Sequence, residues 1–98
     1  MNIALDFDET ITLDEYFWGA FIELAKGQHH SVTIVTSRYP SPGTNYNEDI
    51  EEYAKAWRVD IVYAGHRQKR EVHKADVWID DMPGSIPTYH QLHTDYPI

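Results

Sequence analysis

The sequence predicts an α/β fold with three layers: a parallel sheet of about four strands with helices on both faces. Three observations predict it. Four short β-rich runs recur along the chain, at 2–7, 32–36, 60–63 and 76–79. The first, second and fourth are nearly continuous in Ile, Val, Leu, Ala, Phe or Trp, as in strands buried on both faces. Helical patterns lie between the runs, and the order β-α-β-α-β-α-β implies parallel strands joined by right-handed crossovers.

Each helix has its own signals. Thr12 and Glu15 have capping-box spacing, with Thr12 as the expected N-cap. Leu13, Phe17, Ala20, Phe21 and Leu24 follow at helical spacing, and Lys26-Gly27 is a stop signal. A second helix is expected from near Asn45 or Asn47. Its apolar stripe is Ile50, Tyr53, Ala54 and Trp57, supported by the Glu51/Lys55 pair. A third, strongly charged stretch covers about 67–74. The stretch 37–44 carries two Pro and a Gly and is expected to be irregular. From Met82 onward the chain is Pro-rich, with at most a short helix expected near 88–93.

Composition bounds the function. Ninety-eight residues make one domain, 1–98, with 82–98 as its tail. The chain has no Cys, which excludes disulfides, Cys-ligated zinc and a thiol nucleophile. The net charge of −8 argues against nucleic acid and anionic membranes as partners, because both need a cationic surface. No apolar run is long enough to span a bilayer, and the N-terminus lacks the basic n-region of a signal peptide, so a cytoplasmic protein is expected. A domain this small buries a modest share of its surface, which makes a homo-oligomer plausible.

The chemistry-bearing residues fall at the carboxyl ends of three apolar runs. The first runs into Asp6-Phe7-Asp8-Glu9-Thr10, the second into Thr36-Ser37-Arg38, the fourth into Asp80-Asp81. Open parallel sheets bind ligands beyond those ends, so the three clusters describe one site. Strand alternation lets Asp6 and Asp8 face one ligand. Four carboxylates near one point repel unless a cation sits among them, and an all-oxygen pocket suits Mg²⁺.

These segments resemble the haloacid dehalogenase (HAD) superfamily of phosphohydrolases, with a Rossmann-like core. Asp6-Phe7-Asp8-Glu9-Thr10 is similar to its first motif, Asp-x-Asp-x-Thr. The run from Val32 to Arg38 is similar to its second motif, and Trp78-Ile79-Asp80-Asp81 to its fourth. The resemblance covers about residues 1–84. It implies Asp6 as nucleophile, Asp8 as general acid and base, and Thr36 as a donor to the phosphoryl oxygens. It implies Mg²⁺ held by Asp6, Asp8 (through its backbone carbonyl), Asp80 and Asp81. Thr10, Ser37, Arg38 and Arg67 are candidate substrate contacts, with Thr10 also expected to orient the turn.

The third motif of that family is a Lys. Lys69 follows the third strand at the site end of the sheet, whereas Lys74 lies near the far end. Lys69 is therefore the expected residue, with Arg70 or Arg67 in its place if the register shifts; the alternative is a solvated basic helix face. Glu9 stands where the family often has Gly. The stretches 11–31 and 37–60 leave no room for a cap domain, so the resemblance is to a capless member. Tyr16, Trp18, Arg38, Tyr39, His66 and Arg67 are the candidate rim, with Trp18 and Tyr39 able to stack on a base. His90 and His93 have helical spacing but are expected at the surface.

The expected function is a Mg²⁺-dependent phosphomonoesterase acting on a small phosphorylated metabolite such as a nucleotide. The alternatives are a phosphatase of polynucleotide ends, and a non-catalytic module of the same fold that binds a phosphorylated ligand or a partner. A receiver domain would place its acid pair on the first strand, and a Toprim fold would reverse the order of the acids.

Overall fold

The structure, a computed structural model, describes residues 1–40 and 45–86. Four parallel strands form one sheet: β1 (Asn2–Leu5), β2 (Ser31–Thr36), β3 (Asp60–Tyr63) and β4 (Val77–Ile79). Three helices join them: α1 (Glu15–Gly27), α2 (Glu48–Trp57) and α3 (Lys69–Val72). The strand order is β3-β2-β1-β4. The chain moves outward from β1 to β3 and then returns past β1 to β4. That reversal puts a topological switch at the carboxyl end of β1.

Register follows the apolar pattern. Ile3 pairs with Val32 and Leu5 with Ile34, while Leu5 meets Ile79 on the other side. These side chains form the core with Ile22 and Ala25 of α1 and Ile50 and Ala54 of α2. The predicted stripe of α2 packs as expected, Tyr53 and Trp57 completing it. Gly19 permits close helix packing: a Cβ there would sit 3.0 Å from Trp57 Nε1. Among the described residues, no helix is long and apolar enough to cross a membrane.

Several expectations need correction. Asp14, not Thr12, caps α1: its side chain accepts the Phe17 N–H at 3.1 Å. The Thr12 hydroxyl accepts from Glu9 N–H instead, at 2.9 Å, within a turn that holds Glu9 at a positive φ of 63°. Two capping groups compete here, and the turn after β1 claims one of them. The expected stripe of α1 is also displaced. Only Phe21 of the five packs on the core, together with Trp18, Ile22 and Ala25. Leu13, Phe17 and Leu24 are 72%, 57% and 66% exposed. Helix α1 carries apolar residues on two faces, and periodicity alone does not say which one meets the sheet. The sheet pairing of β1 ends at Leu5 rather than Phe7, and α3 is four residues rather than about eight. The helix expected near 88–93 and the pair His90/His93 lie outside the described residues.

Candidate metal and phosphate site

The strand ends deliver their carboxylates to one point. Asp6 follows β1 directly, and its N–H still donates to the Ile79 carbonyl at 2.9 Å, so β1 and β4 leave the sheet together. Asp80 and Asp81 follow β4. One carboxylate oxygen from each of Asp6, Asp80 and Asp81 can be chosen so that the three lie within 4.8 Å of one another. Asp6 is 7% exposed, whereas Asp81 faces solvent.

A lysine is buried against this group. Lys69, at the start of α3, is 1% exposed. Its ammonium donates to Asp6 Oδ1 at 2.7 Å and also to Asp80 Oδ2. The other Asp6 oxygen accepts the Thr10 hydroxyl at 3.2 Å, and Asp80 Oδ1 accepts the Met82 N–H at 2.9 Å. Lys74 is exposed. Three acids against one ammonium leave two formal negative charges, the complement of one divalent cation. Burial, opposed by Lys69 and reinforced by Asp81 and Asp80, pushes the Asp6 carboxyl up to about 6. The donors are hard carboxylate oxygens with no Cys or His among them, so these three residues could hold a hard metal cation.

Asp8 behaves differently. Its carboxylate does not join the three. It forms a two-pronged pair with Arg38, accepting from Nε at 2.8 Å and from Nη2 at 2.7 Å. Strand alternation fails to bring Asp8 beside Asp6 because β1 has already ended and Asp8 lies in a turn. On its other edge Arg38 meets Asp49, from Nη1 at 2.7 Å and Nη2 at 3.1 Å, with a longer contact from Nη1 to Asn47 Oδ1 at 3.5 Å. All five N–H donors of the guanidinium thus have carboxylate or amide acceptors. Both acids hold Arg38 firmly charged, with its pKa raised, and Arg38 in turn holds the Asp49 carboxyl below the usual range. The guanidinium also lies 5.1 Å from the centre of the Phe7 ring.

The second run places its residues as a bracket around this pair. Thr36 is buried, and its hydroxyl oxygen accepts the Arg38 N–H at 3.2 Å. Its carbonyl accepts from Ala64 N–H at 2.7 Å, and Gly65 N–H donates to the Arg38 carbonyl at 3.2 Å, tying the β2 and β3 ends together. Ser37 and Arg67 are exposed. Tyr39 is half-exposed and stacks near His66, its ring so close to Gly65 that a Cβ there would be 2.9 Å away. Trp18 is not at a rim: it packs into the core beside Phe17 and Phe21.

Asp49 and Asn47 are the residues sequence reading missed. Both sit where α2 begins, and acids in a first helical turn are ordinary there. No local signal in the sequence pairs either residue with Arg38, which the second run offers only as a candidate substrate contact. A groove of about 750 Å³ between α1 and α2 is lined by Tyr16 of the expected rim but by none of the residues gathered at the strand ends. Comparison with protein-family models, curated proteins and solved structures found no match.

Proposed function

We propose that this chain is a Mg²⁺-dependent phosphohydrolase of the HAD type, acting on small phosphomonoesters such as nucleotides through an aspartyl-phosphate. The observation that carries the reading is Lys69 buried between Asp6 and Asp80, with Asp81 alongside, at the ends of β1 and β4. A buried ammonium shared by two acids is expensive to build for stability alone. The strand order supports the three-layer architecture: right-handed crossovers would put α1 and α2 on one face and α3 on the other. Each inter-strand segment holds one α-helix among the described residues, preceded in the first two by a single 3-10 turn, in keeping with a capless member.

Asp6 attacks phosphorus as the bond to the leaving oxygen breaks, and Asp8, which must enter this step protonated and free of Arg38, passes its proton to that oxygen. Asp8 then takes a proton from water, whose oxygen attacks the acyl phosphate and releases inorganic phosphate and free Asp6. Lys69 and Thr10 hold the two Asp6 oxygens so that the attacking one is fixed. Thr36, buried at the end of β2, supplies a hydroxyl to a phosphoryl oxygen. Asp6, Asp80, Asp81 and the Asp8 main-chain carbonyl would hold the metal, which when bound screens the repulsion between carboxylate and phosphate.

The test is a hydrolysis screen of nucleotides, sugar phosphates and oligonucleotide ends, with and without Mg²⁺. Mg²⁺-dependent release of phosphate, lost in Asp6→Asn, is the expected result. A chain that binds Mg²⁺ and hydrolyses nothing in the panel is a binding module and overturns the reading.

A further inference from the structure

Arg38 has no donor left for a substrate. Its five N–H groups are spent on Asp8, Asp49 and Asn47. Any phosphate that uses Arg38 must displace one of these partners, and the two carboxylates are not equivalent. Asp49 is anchored twice, since its Oδ1 also accepts the Ile50 N–H at 2.8 Å in the first turn of α2, where the helix favours a carboxylate. Asp8 lies in the turn after β1, half-exposed, and no hydrogen bond to its carboxylate other than those from Arg38 occurs among the described residues. The edge of the guanidinium that Asp8 occupies, Nε and Nη2, is the pair of parallel donors that also matches two oxygens of a phosphate.

We propose that Asp49 is the positioning residue that keeps Arg38 at the site, and that Asp8 is a partner exchanged for the substrate phosphate. The incoming dianion takes Nε and Nη2, and the released Asp8 carboxylate becomes available for proton transfer. Substrate binding and release of the acid–base group are then one event. Without Asp49 the guanidinium has one anion left in the free protein, Asp8, and holds it more tightly. The proposal rests on the phosphohydrolase reading and adds a role for a residue outside its motifs.

A double-mutant cycle tests it. Loss of one charge-assisted contact predicts that Asp49→Asn raises KM for a phosphomonoester about tenfold, with kcat falling less than about threefold. Asp49→Glu, which keeps the charge, should restore part of the loss. In an Arg38→Ala background, Asp49→Asn should change kcat/KM by less than about twofold, because Asp49 acts only through Arg38. Additive effects in the cycle, or an unchanged KM in Asp49→Asn, would overturn the proposal, since a residue that merely supports α2 would act in either background. If the wild-type chain hydrolyses no phosphomonoester, the enzymatic reading has failed separately. The exchange is then read by titrating inorganic phosphate into wild type and Asp49→Asn in the presence of Mg²⁺. A weaker phosphate affinity in the variant upholds the exchange, and equal affinity overturns it.

Discussion

Asp6 and Asp8 stand two residues apart, carry the same side chain, and meet different cations. Asp6 is buried and shares Lys69 with Asp80. Asp8 is half-exposed and shares Arg38 with Asp49. Breaking a buried pair leaves an uncompensated charge in a medium that solvates it poorly. Opening the Arg38–Asp8 pair returns the half-exposed Asp8 carboxylate to water while Arg38, itself 15% exposed, keeps Asp49, so it should cost less. Burial therefore separates the two acids. The Asp6 centre holds its charge in place and the Asp8 centre can let its charge move, the division that the proposed nucleophile and the proposed acid–base group would each need.

Removing the fixed charge should have the largest effect. Asp6→Asn is expected to lower kcat by roughly 10⁴-fold or more, the scale seen when a nucleophile is deleted. The same variant should be at least as stable as wild type, because it relieves carboxylate crowding while Lys69 keeps Asp80. Steady-state kinetics beside thermal unfolding separates the two. A less stable Asp6→Asn would show that the Lys69–Asp6 pair stabilises the fold, and an undiminished kcat would remove Asp6 as the nucleophile.

Lys69→Met comes next. It leaves Asp6 and Asp80 buried without their ammonium, a change worth about 3–5 kcal/mol of destabilisation. Denaturant unfolding measures it. Mg²⁺ should recover more stability in this variant than in wild type, since the cation replaces the missing charge. Arg38→Met, the matching change at the exposed centre, should cost less than Lys69→Met.

How much of this was visible beforehand depends on the kind of information. The parallel β-α alternation and the carboxyl-end clusters follow from apolar runs, and Lys69 from the family resemblance together with which end of the sheet its loop reaches. The spatial strand order β3-β2-β1-β4 does not follow from the runs. The face of α1 does not follow, because Phe17 and Leu24 repeat at the same helical period as Ile22 and Ala25, and packing against α2 at Gly19 decides between the two stripes. The Thr12 cap fails for a similar reason: the Glu9 turn competes for the hydroxyl. Asp49 lies eleven residues from Arg38, across a stretch that ends in the Asn45–Asn47 turn, and no local rule pairs them. Periodicity and turn chemistry are local; the choice among equivalent faces and partners is tertiary.

The pH dependence of stability sharpens the comparison with a smaller effect. Asp6 rises from 3.8 to about 6 on folding, chiefly through burial. Between those values the folded chain binds more protons than the unfolded one, so its stability falls as pH rises. About 2 units correspond to about 3 kcal/mol at most, lost by pH 7. Asp49 has the opposite sign: its lowered pKa contributes stability that is present at neutral pH and lost as pH falls. Mg²⁺ competes with the proton at Asp6, so the Mg²⁺-induced rise in Tm should be larger at pH 7 than at pH 5. A rise that is equal at both pH values would place the cation away from Asp6.

The smallest effect on stability is expected at Asp8. Asp8→Asn leaves Arg38 paired with Asp49, and the lost pair is half-exposed, so the cost should stay below about 1 kcal/mol. Its effect on turnover should depend on the substrate. An alkyl phosphate needs a proton on its leaving oxygen, whereas a nitrophenyl phosphate departs as a weakly basic anion. The variant should therefore lose more kcat toward the alkyl ester than toward the aryl ester, as measured on both in one assay. Equal losses would mean that Asp8 does not donate the proton. The contrast with Asp6 would then rest on burial alone, with no division of chemical labour between the two acids.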